Sequence, residues 1–590
     1  MLTPWGAALD PDHPLPEYPR PQLVRASYLN LNGRWQYAVT RTLDPPDSWA
    51  GTIVVPFSPE TELSGVGHVL QPDEVLHYRR TLVVPDSFTV PGGRVLLHLG
   101  AVDQWCRVLL DGTVVGEHDG GYLPVTCDLT DVLRPGEPQR LHVVVRDPTD
   151  TGPGLRGKQT LEPGGIWYTP QSGIWQTVWL EAVPDPWVDR LSIVCDLDDG
   201  SLAVTVHLGG TGAAASGAAG GRCEVVVSAA GAEVGRAAGP AGRPLVVDIP
   251  SPRSWSPERP FLYDLLVTAG ADTVRSYAGM RSFGVGSDAD GVPRLLLNGR
   301  PYFHAGVLDQ GYWSDGGYTA PSDEALVHDI ATMKRLGFTM LRKHVKVEPL
   351  RWYHHCDRLG MLVWQDLVNG GGAYQPRVVA VPAGLPLHLR DDRYRLFARA
   401  DAAAREQWLA EAEATVEHLR SVVSLAVWVP FNEGWGQFDA AAVAARVKAL
   451  DPTRPVDHAS GWHDQGAGDL TSLHVYVKPV RVPRRRRATA HRALALSEYG
   501  GYSWRVPGHS VSDREYGYRR YHDATSLAEA FVRLHRRQVV PAIARGLAAS
   551  VYTQVSDVED EANGLLTYDR RVLKIPEEVV RSVTSQLRLS

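Results

Sequence analysis

Two glutamates stand where an apolar run gives way to a polar turn. In Trp428-Val429-Pro430-Phe431-Asn432-Glu433-Gly434 the run ends in Asn-Glu, and the glycine allows a tight exit. In Ala493-Leu494-Ala495-Leu496-Ser497-Glu498-Tyr499-Gly500 a second apolar run also ends in Glu. Packing alone would not choose a carboxylate at either place. If both carboxyls face one centre, the field of one and partial desolvation hold the other protonated. An acid that protonates a leaving oxygen, beside a carboxylate that attacks or stabilises an anomeric carbon, is what glycosidic bond cleavage requires. Either glutamate alone reads as a helix cap or an arginine partner; the two together favour chemistry.

The elements that must position this pair begin near residue 288. From there short apolar strands alternate with helices. Ser322 caps a helix in which Leu326, Ile330 and Met333 recur at helical spacing. Strands follow at 339–341, 361–364 and 425–429. Helices are expected near 349–358 and over 391–419, with others marked by Val443, Val447 and Leu450 and by Leu527, Phe531 and Leu534. This grammar, sustained to residue 590, predicts a C-terminal (β/α)8 TIM barrel, whose reactive groups project from the C-terminal ends of its strands. Helical text thins out between Val456 and Glu498, so one or two barrel helices are expected to be degraded. An open doubly wound sheet is the alternative, and it lacks the Gly-rich phosphate loop expected after the first strand.

Residues 1–184 read as strands with frequent turn signals, and Asp111-Gly112 between two β-rich runs marks a hairpin. An N-terminal β jelly-roll is the natural solution. Residues 185–287 form a second β-rich block, expected as an immunoglobulin-like β-sandwich. Within it 209–222 is nearly all Gly, Ala, Ser and Thr, a composition that reads as a flexible loop tip. The chain is thus multidomain.

Composition narrows the partners. The chain has 590 residues and a net charge of −7, so no global field favours nucleic acid or an anionic membrane. The 17 Trp and 22 Tyr outnumber the 10 Phe, consistent either with wet aromatic surfaces that stack on sugars or with sheet cores. Five cysteines without a CxxC pair argue against a disulfide framework or zinc ribbon. The opening MLTPWGAALDPDHPLPEYPRPQ has neither a basic nor an apolar region of the signal-peptide kind. The longest apolar stretch, 425–431, falls far short of the ~20 residues of a membrane span. A soluble, cytoplasmic protein is expected.

The motifs Asn432-Glu433-Gly434 and Ser497-Glu498-Tyr499-Gly500 resemble those of glycoside hydrolase family 2, the family of β-galactosidases, β-glucuronidases and β-mannosidases. The likeness extends over nearly the whole chain. Asn32-Gly33-Arg34-Trp35, His77-Tyr78-Arg79-Arg80, 108–112 and Gly173-Ile174-Trp175-Gln176 look like its N-terminal sugar-binding jelly roll, and Gly279-Met280-Arg281-Ser282-Phe283 looks like its hinge into the barrel. The resemblance implies a retaining enzyme with Glu433 as acid/base at the fourth strand and Glu498 as nucleophile at the seventh. It also implies Asn432 as the partner of the sugar 2-hydroxyl.

Other strand ends supply candidate sugar readers: Asp309 at the first, Arg342 and His344 at the second, Asp366 at the third, His474 and Tyr476 at the sixth. Tyr552 stands at the eighth, where the family usually has a tryptophan platform. Each of these reads equally as part of a buried salt bridge or core. Two departures from the family bear on specificity. The stretch Arg342-Lys343-His344-Val345-Lys346 lacks a His-x-Pro, and the barrel has no Asn-x-Lys of the kind associated with carboxylate recognition in the glucuronidases. The expectation is therefore a retaining exo-β-glycoside hydrolase acting on terminal β-D-galactosides by double displacement. A β-galactofuranosidase or arabinosidase is the alternative, and a non-catalytic carbohydrate-binding protein with a vestigial barrel is the alternative from another class.

No cofactor and no metal are expected, and a carbohydrate is the expected partner. His354-His355-Cys356-Asp357 is rejected as a metal cluster because adjacent helix positions face different ways. Arg484–487 reads as a solvated connector, and the acidic stretch 557–561 as ordering a loop over the pocket rim rather than binding a cation.

Overall fold

The computed structural model describes residues 1–590 apart from 211–220, 386, 483–490 and 590. Most of the Gly/Ala segment 209–222 and the basic run 484–487 therefore lie outside the described residues.

The C-terminal half is the barrel. Its strands are the first (His304–Asp309), second (Met340–Lys343), third (Leu362–Asp366), fourth (Leu425–Val429), sixth (Leu470–Val475), seventh (Ala493–Gly500) and eighth (Leu547–Thr553). These seven form one parallel sheet in the order fourth, third, second, first, eighth, seventh, sixth. The fifth place is held by the extended segment 455–460. It bridges to the fourth strand through Asp457 N–H to Trp428 O (2.8 Å) and Glu433 N–H to Ser460 O (2.9 Å). On its other side it meets the sixth strand through side chains, Ser460 Oγ lying 3.0 Å from His474 Nε2.

Helices Asp323–Arg335, Leu350–Leu359, Ala402–Leu419, Ala440–Leu450, Ala524–Leu534 and Glu577–Thr584 cover the ring. Ser322 caps the first as expected, its side chain accepting from Ala325 N–H, and Leu326, Ile330 and Met333 are buried. The third starts later than its sequence pattern implied. Asp401 accepts from the N–H groups of Ala403 and Ala404 and sets the start, so 391–401 are irregular. Among the described residues no helix lies between 451 and 523, which accords with the thinning of helical text there.

Strand alternation decides what faces the lumen. Leu308, Met340, Leu362, Trp364, Val427, Val429, Ala495 and Val551 belong to the cluster that fills the barrel. Their chain neighbours Val307, Leu341, Val363, Trp428, Leu496 and Tyr552 belong to the cluster shared with the helices. A small antiparallel sheet (Phe283–Ser287, Pro293–Leu297, Arg300–Pro301) adds Leu295, Phe283 and Val285 to the lumen cluster.

Ahead of the barrel, two antiparallel sheets of six and four strands enclose a core that includes Trp35, Tyr78, Val108, Leu141 and Leu180. The Asp111-Gly112 turn joins Trp105–Leu110 to Thr113–Asp119 as the sequence implied, with both turn residues at positive φ. This is the jelly roll. A three-stranded and a four-stranded sheet then pack around Val204, Val206, Val225, Val227 and Val267 as the immunoglobulin-like sandwich.

Candidate active site

The site lies at the C-terminal ends of the barrel strands, where eight of the ten expected residues come together. Arg342, fully buried, holds Asp366 with two parallel bonds, Nε to Oδ1 at 2.9 Å and Nη2 to Oδ2 at 3.0 Å. Its Nη1 donates to Glu498 Oε1 at 3.0 Å, and its Nη2 also donates to Asn432 Oδ1 at 2.8 Å. The Asn432 side chain is thereby oriented, and its Nδ2 is buried with no partner in the protein. His344 Nδ1 lies 2.7 Å from Asp366 Oδ2. The Tyr476 hydroxyl donates to Glu498 Oε2, and its ring stacks on Tyr518 with centroids 3.7 Å apart.

Glu433 and Glu498 converge with His474 between them. His474 Nδ1 is 2.7 Å from Glu433 Oε1, and its Nε2 is 3.6 Å from Glu498 Oε1. One donor atom from each of the three lies within 4.8 Å of the others, the one such group among the described residues. A carboxylate oxygen of each glutamate is thus within the ~5–5.5 Å that retaining glycosidases use, and well inside the ~6.5–9.5 Å of inverting ones. Glu433 adopts φ 49° ahead of Gly434 at φ 77°, a left-handed pair that turns its side chain over the strand ends.

The two carboxyls are pushed in opposite directions. Burial raises Glu433, against the pull of His474. Burial alone would raise Glu498 too. His474, Arg342, His344 and the Tyr476 hydroxyl outweigh it and hold Glu498 down at about 2. The pair is thus split, Glu433 holding a proton more readily than a free carboxyl and Glu498 less.

Asp309 and Tyr552 are not part of this group, and both are corrected here. Leu308 and Val551 take the inward positions of their strands, so Asp309 and Tyr552 face out. Asp309 pairs with Lys343 Nζ at 2.8 Å in a buried network with Glu348. The Tyr552 ring packs against Tyr499 and Phe531.

Sequence reasoning missed a contribution from the N-terminal region. The chain between the strands Gln139–Arg146 and Gly173–Ile174 runs to the barrel mouth. There Gly157 O accepts from Asn369, and Trp167 packs on Trp435 with centroids 5.1 Å apart. Lys158, 4% exposed, lies 5.7 Å from the Trp435 ring centroid and 3.9 Å from Glu561 Oε2. A long stretch without strand alternation inside a compact β unit was the available signal. The acidic segment after the eighth strand does order a loop at this rim. Glu559 accepts from Thr169 N–H, Glu561 from the Tyr168 hydroxyl, and Asp557 from Lys574 Nζ at 2.7 Å. A groove of about 920 Å³ opens alongside, its wall including His474, Tyr476, Trp462 and Tyr518 but neither carboxyl.

Comparison with known proteins agrees with this architecture. The family model described as glycosyl hydrolases family 2, TIM barrel domain, matches residues 292–572, and a second model of glycosyl hydrolases family 2 matches 188–281. A β-galactosidase of Enterobacter cloacae is 27% identical over 517 residues, covering 80% of this chain and 47% of that protein. The human β-glucuronidase is 24% identical over 444 residues, covering 68% of this chain and 62% of that protein. The chain thus spans less than two thirds of the length of either. In fold it is similar to a β-glucuronidase from Ruminococcus gnavus (TM-score 0.73, 16% identity, 97% of this chain and 100% of that one). It is also similar to a β-galacturonidase from Eisenbergiella tayi (TM-score 0.68, 19% identity, 96% and 98%). Two models of one family, together matching well over half of the sequence, identify it: the chain belongs to glycoside hydrolase family 2.

Proposed function

We propose that this protein is a retaining exo-β-glycoside hydrolase acting on terminal β-D-galactosides, with Glu498 as nucleophile and Glu433 as acid/base. The observation that carries the reading is a pair of carboxyls with one oxygen of each within 4.8 Å of the other, one carboxyl raised and one held at about 2. Glu498, ionised, attacks the anomeric carbon while Glu433 protonates the departing oxygen. Esterification removes the Glu498 charge, the proton affinity of Glu433 falls, and Glu433 then takes a proton from the incoming water. The unpartnered Asn432 Nδ2 is the donor for the sugar 2-hydroxyl, a bond that strengthens at the transition state. His344 and Asp366 hold the wall of the same pocket. The galactoside choice draws on the name of the Enterobacter relative.

The units are taken as 1–184, 185–287 and 288–590, so that Lys158 reaches the centre from the first of them. A β-uronide is the second reading. It is favoured by that buried ammonium, which stands in for the missing Asn-x-Lys as a carboxylate partner.

Glu498→Ala is the direct test. It abolishes turnover of aryl β-glycosides, and azide restores it with inverted product; full activity in this variant removes the proposal. Initial rates on nitrophenyl β-galactopyranoside, β-galactofuranoside, β-galacturonide, β-glucuronide, β-mannoside and arabinosides separate the sugars.

A further inference from the structure

His474 is built into the centre more tightly than a sugar reader needs to be. Its side chain is fully buried, with Trp462 edge-on at 5.4 Å. A Cβ at Gly461, which has φ +93°, would lie 2.8 Å from Nδ1, so the ring's place requires glycine beside it. Both ring nitrogens are engaged within the protein: Nδ1 with Glu433 Oε1 at 2.7 Å, Nε2 with Ser460 Oγ at 3.0 Å.

The hydroxyls beyond it fix the tautomer. Leu473 O, 3.5 Å from Ser497 Oγ, can only accept, and Ser460 Oγ donates to Ser497 Oγ at 2.9 Å. The Ser460 oxygen therefore accepts from Nε2–H. Nδ1 then meets Glu433 either as a lone pair or with a second proton. A lone pair and an unprotonated carboxylate do not approach to 2.7 Å, so one proton lies between them. It resides on Glu433 with a neutral ring, or on Nδ1 with an ionised carboxylate.

We propose that Glu433 and His474 hold one transferable proton in common, and that His474 is the positioning residue that keeps it available to the leaving oxygen. This rests on the acid/base reading of Glu433. In the first step the proton passes to the glycosidic oxygen as the C–O electron pair leaves with the aglycone and a Glu498 carboxylate oxygen bonds to the anomeric carbon. The pair is left one proton short, Glu433 ionised and the ring neutral with Nε2–H. In the second step water bonds to the anomeric carbon, Glu498 departs as carboxylate, and the water proton returns to the pair.

Two basic atoms sharing a proton bind it more tightly than either alone, because their protonated microstates add. A protonated ring draws the proton off the carboxyl itself, which is the pull of His474 on Glu433, while a neutral ring accepting from the acid form favours that form. The pair therefore stays protonated to higher pH than the carboxyl would without the ring. The other groups facing it are Arg342 and His344 from the end of the second strand, Asp366 from the third, Glu498 from the seventh, Tyr476, Tyr516 and Tyr518, and Lys158.

The test is the pH profile of kcat/KM on whichever nitrophenyl glycoside the full chain turns over fastest. His474→Asn, which supplies no second basic site, lowers the alkaline limb by about one unit, roughly the spread that neighbours commonly impose. Ser460→Ala, which releases the Nε2–H, moves it the same way by less. In ¹⁵N-histidine-labelled wild type, the His474 resonances report Nε2–H and a hydrogen-bonded Nδ1; this needs no variant to fold. An alkaline limb unmoved in a folded His474→Asn, or a neutral His474 protonated on Nδ1 instead, overturns the proposal. Glu433→Gln separates it from its premise. If that variant still cleaves alkyl glycosides at the wild-type rate, it is the acid/base reading that fails.

Discussion

Arg342 Nη1 lies 3.0 Å from Glu498 Oε1, and both side chains are almost wholly removed from water. The same guanidinium clamps Asp366, orients Asn432 and donates to Ser497 O, so one cation carries four polar partners. Arg342→Lys keeps the charge and loses the fork geometry. It is expected to lower kcat by about 10²-fold, the scale of a lost preorganised donor. Arg342→Ala leaves buried carboxylates uncompensated and costs about 3–5 kcal/mol of stability as well. Steady-state kinetics and urea unfolding on both variants check this.

Tyr476→Phe removes a donor to Glu498, the proposed nucleophile. Glu498 is held at about 2, and loss of that bond raises it. A nucleophile in the proposed role must be ionised to attack, so the acid limb of kcat/KM moves to higher pH. A profile measured down to the acid edge of stability shows the shift.

Lys158→Gln acts on the other limb. Burial raises the Glu433 carboxyl and the Lys158 charge works against that rise. With the charge gone, Glu433 keeps its proton to higher pH, and the alkaline limb rises by a few tenths of a unit. The direction is opposite to that of His474→Asn, so the two variants measured side by side distinguish a charge effect from a shared proton. If uronides are substrates, the same variant loses them preferentially.

Glu411 lies on the helix Ala402–Leu419, against the N-terminal unit. Burial first, then Asp119, pushes its carboxyl up to about 8. A folded value above the unfolded one means that stability is full below about pH 4.3 and falls as pH rises toward 8. Glu411→Gln removes that slope. Its melting temperature is expected to match wild type at pH 4 and to exceed it by a few degrees at pH 8, as calorimetry at both values would reveal.

The proposed catalytic pair was legible because each glutamate follows an apolar run after one polar residue, Asn432 or Ser497, and a carboxylate there has no packing reason. Which side of a strand faces the lumen was not legible in Ala305-Gly306-Val307-Leu308-Asp309 or Ala549-Ser550-Val551-Tyr552. With both faces of a parallel strand buried, apolar residues occupy both parities, and Asp309 and Tyr552 were misplaced by one residue's rotation. Residues 455–460 carry no strand signal; the fourth strand and the side chains of the sixth define that stave from outside. Lys158 reaches the centre only by tertiary docking, which no local pattern encodes.

That docking joins two regions of the chain into one centre. Its lysine arrives on an irregular segment held to the barrel along its length: Arg156 N–H donates to Asn369 O, Gly371 N–H to Pro153 O, and Leu155 and Tyr168 are buried in the cluster shared with the barrel helices. Segments buried in a common core do not open separately at low cost. Activity and the cylinder's secondary structure are therefore expected to disappear in a single transition under denaturant or heat, with no inactivation ahead of it.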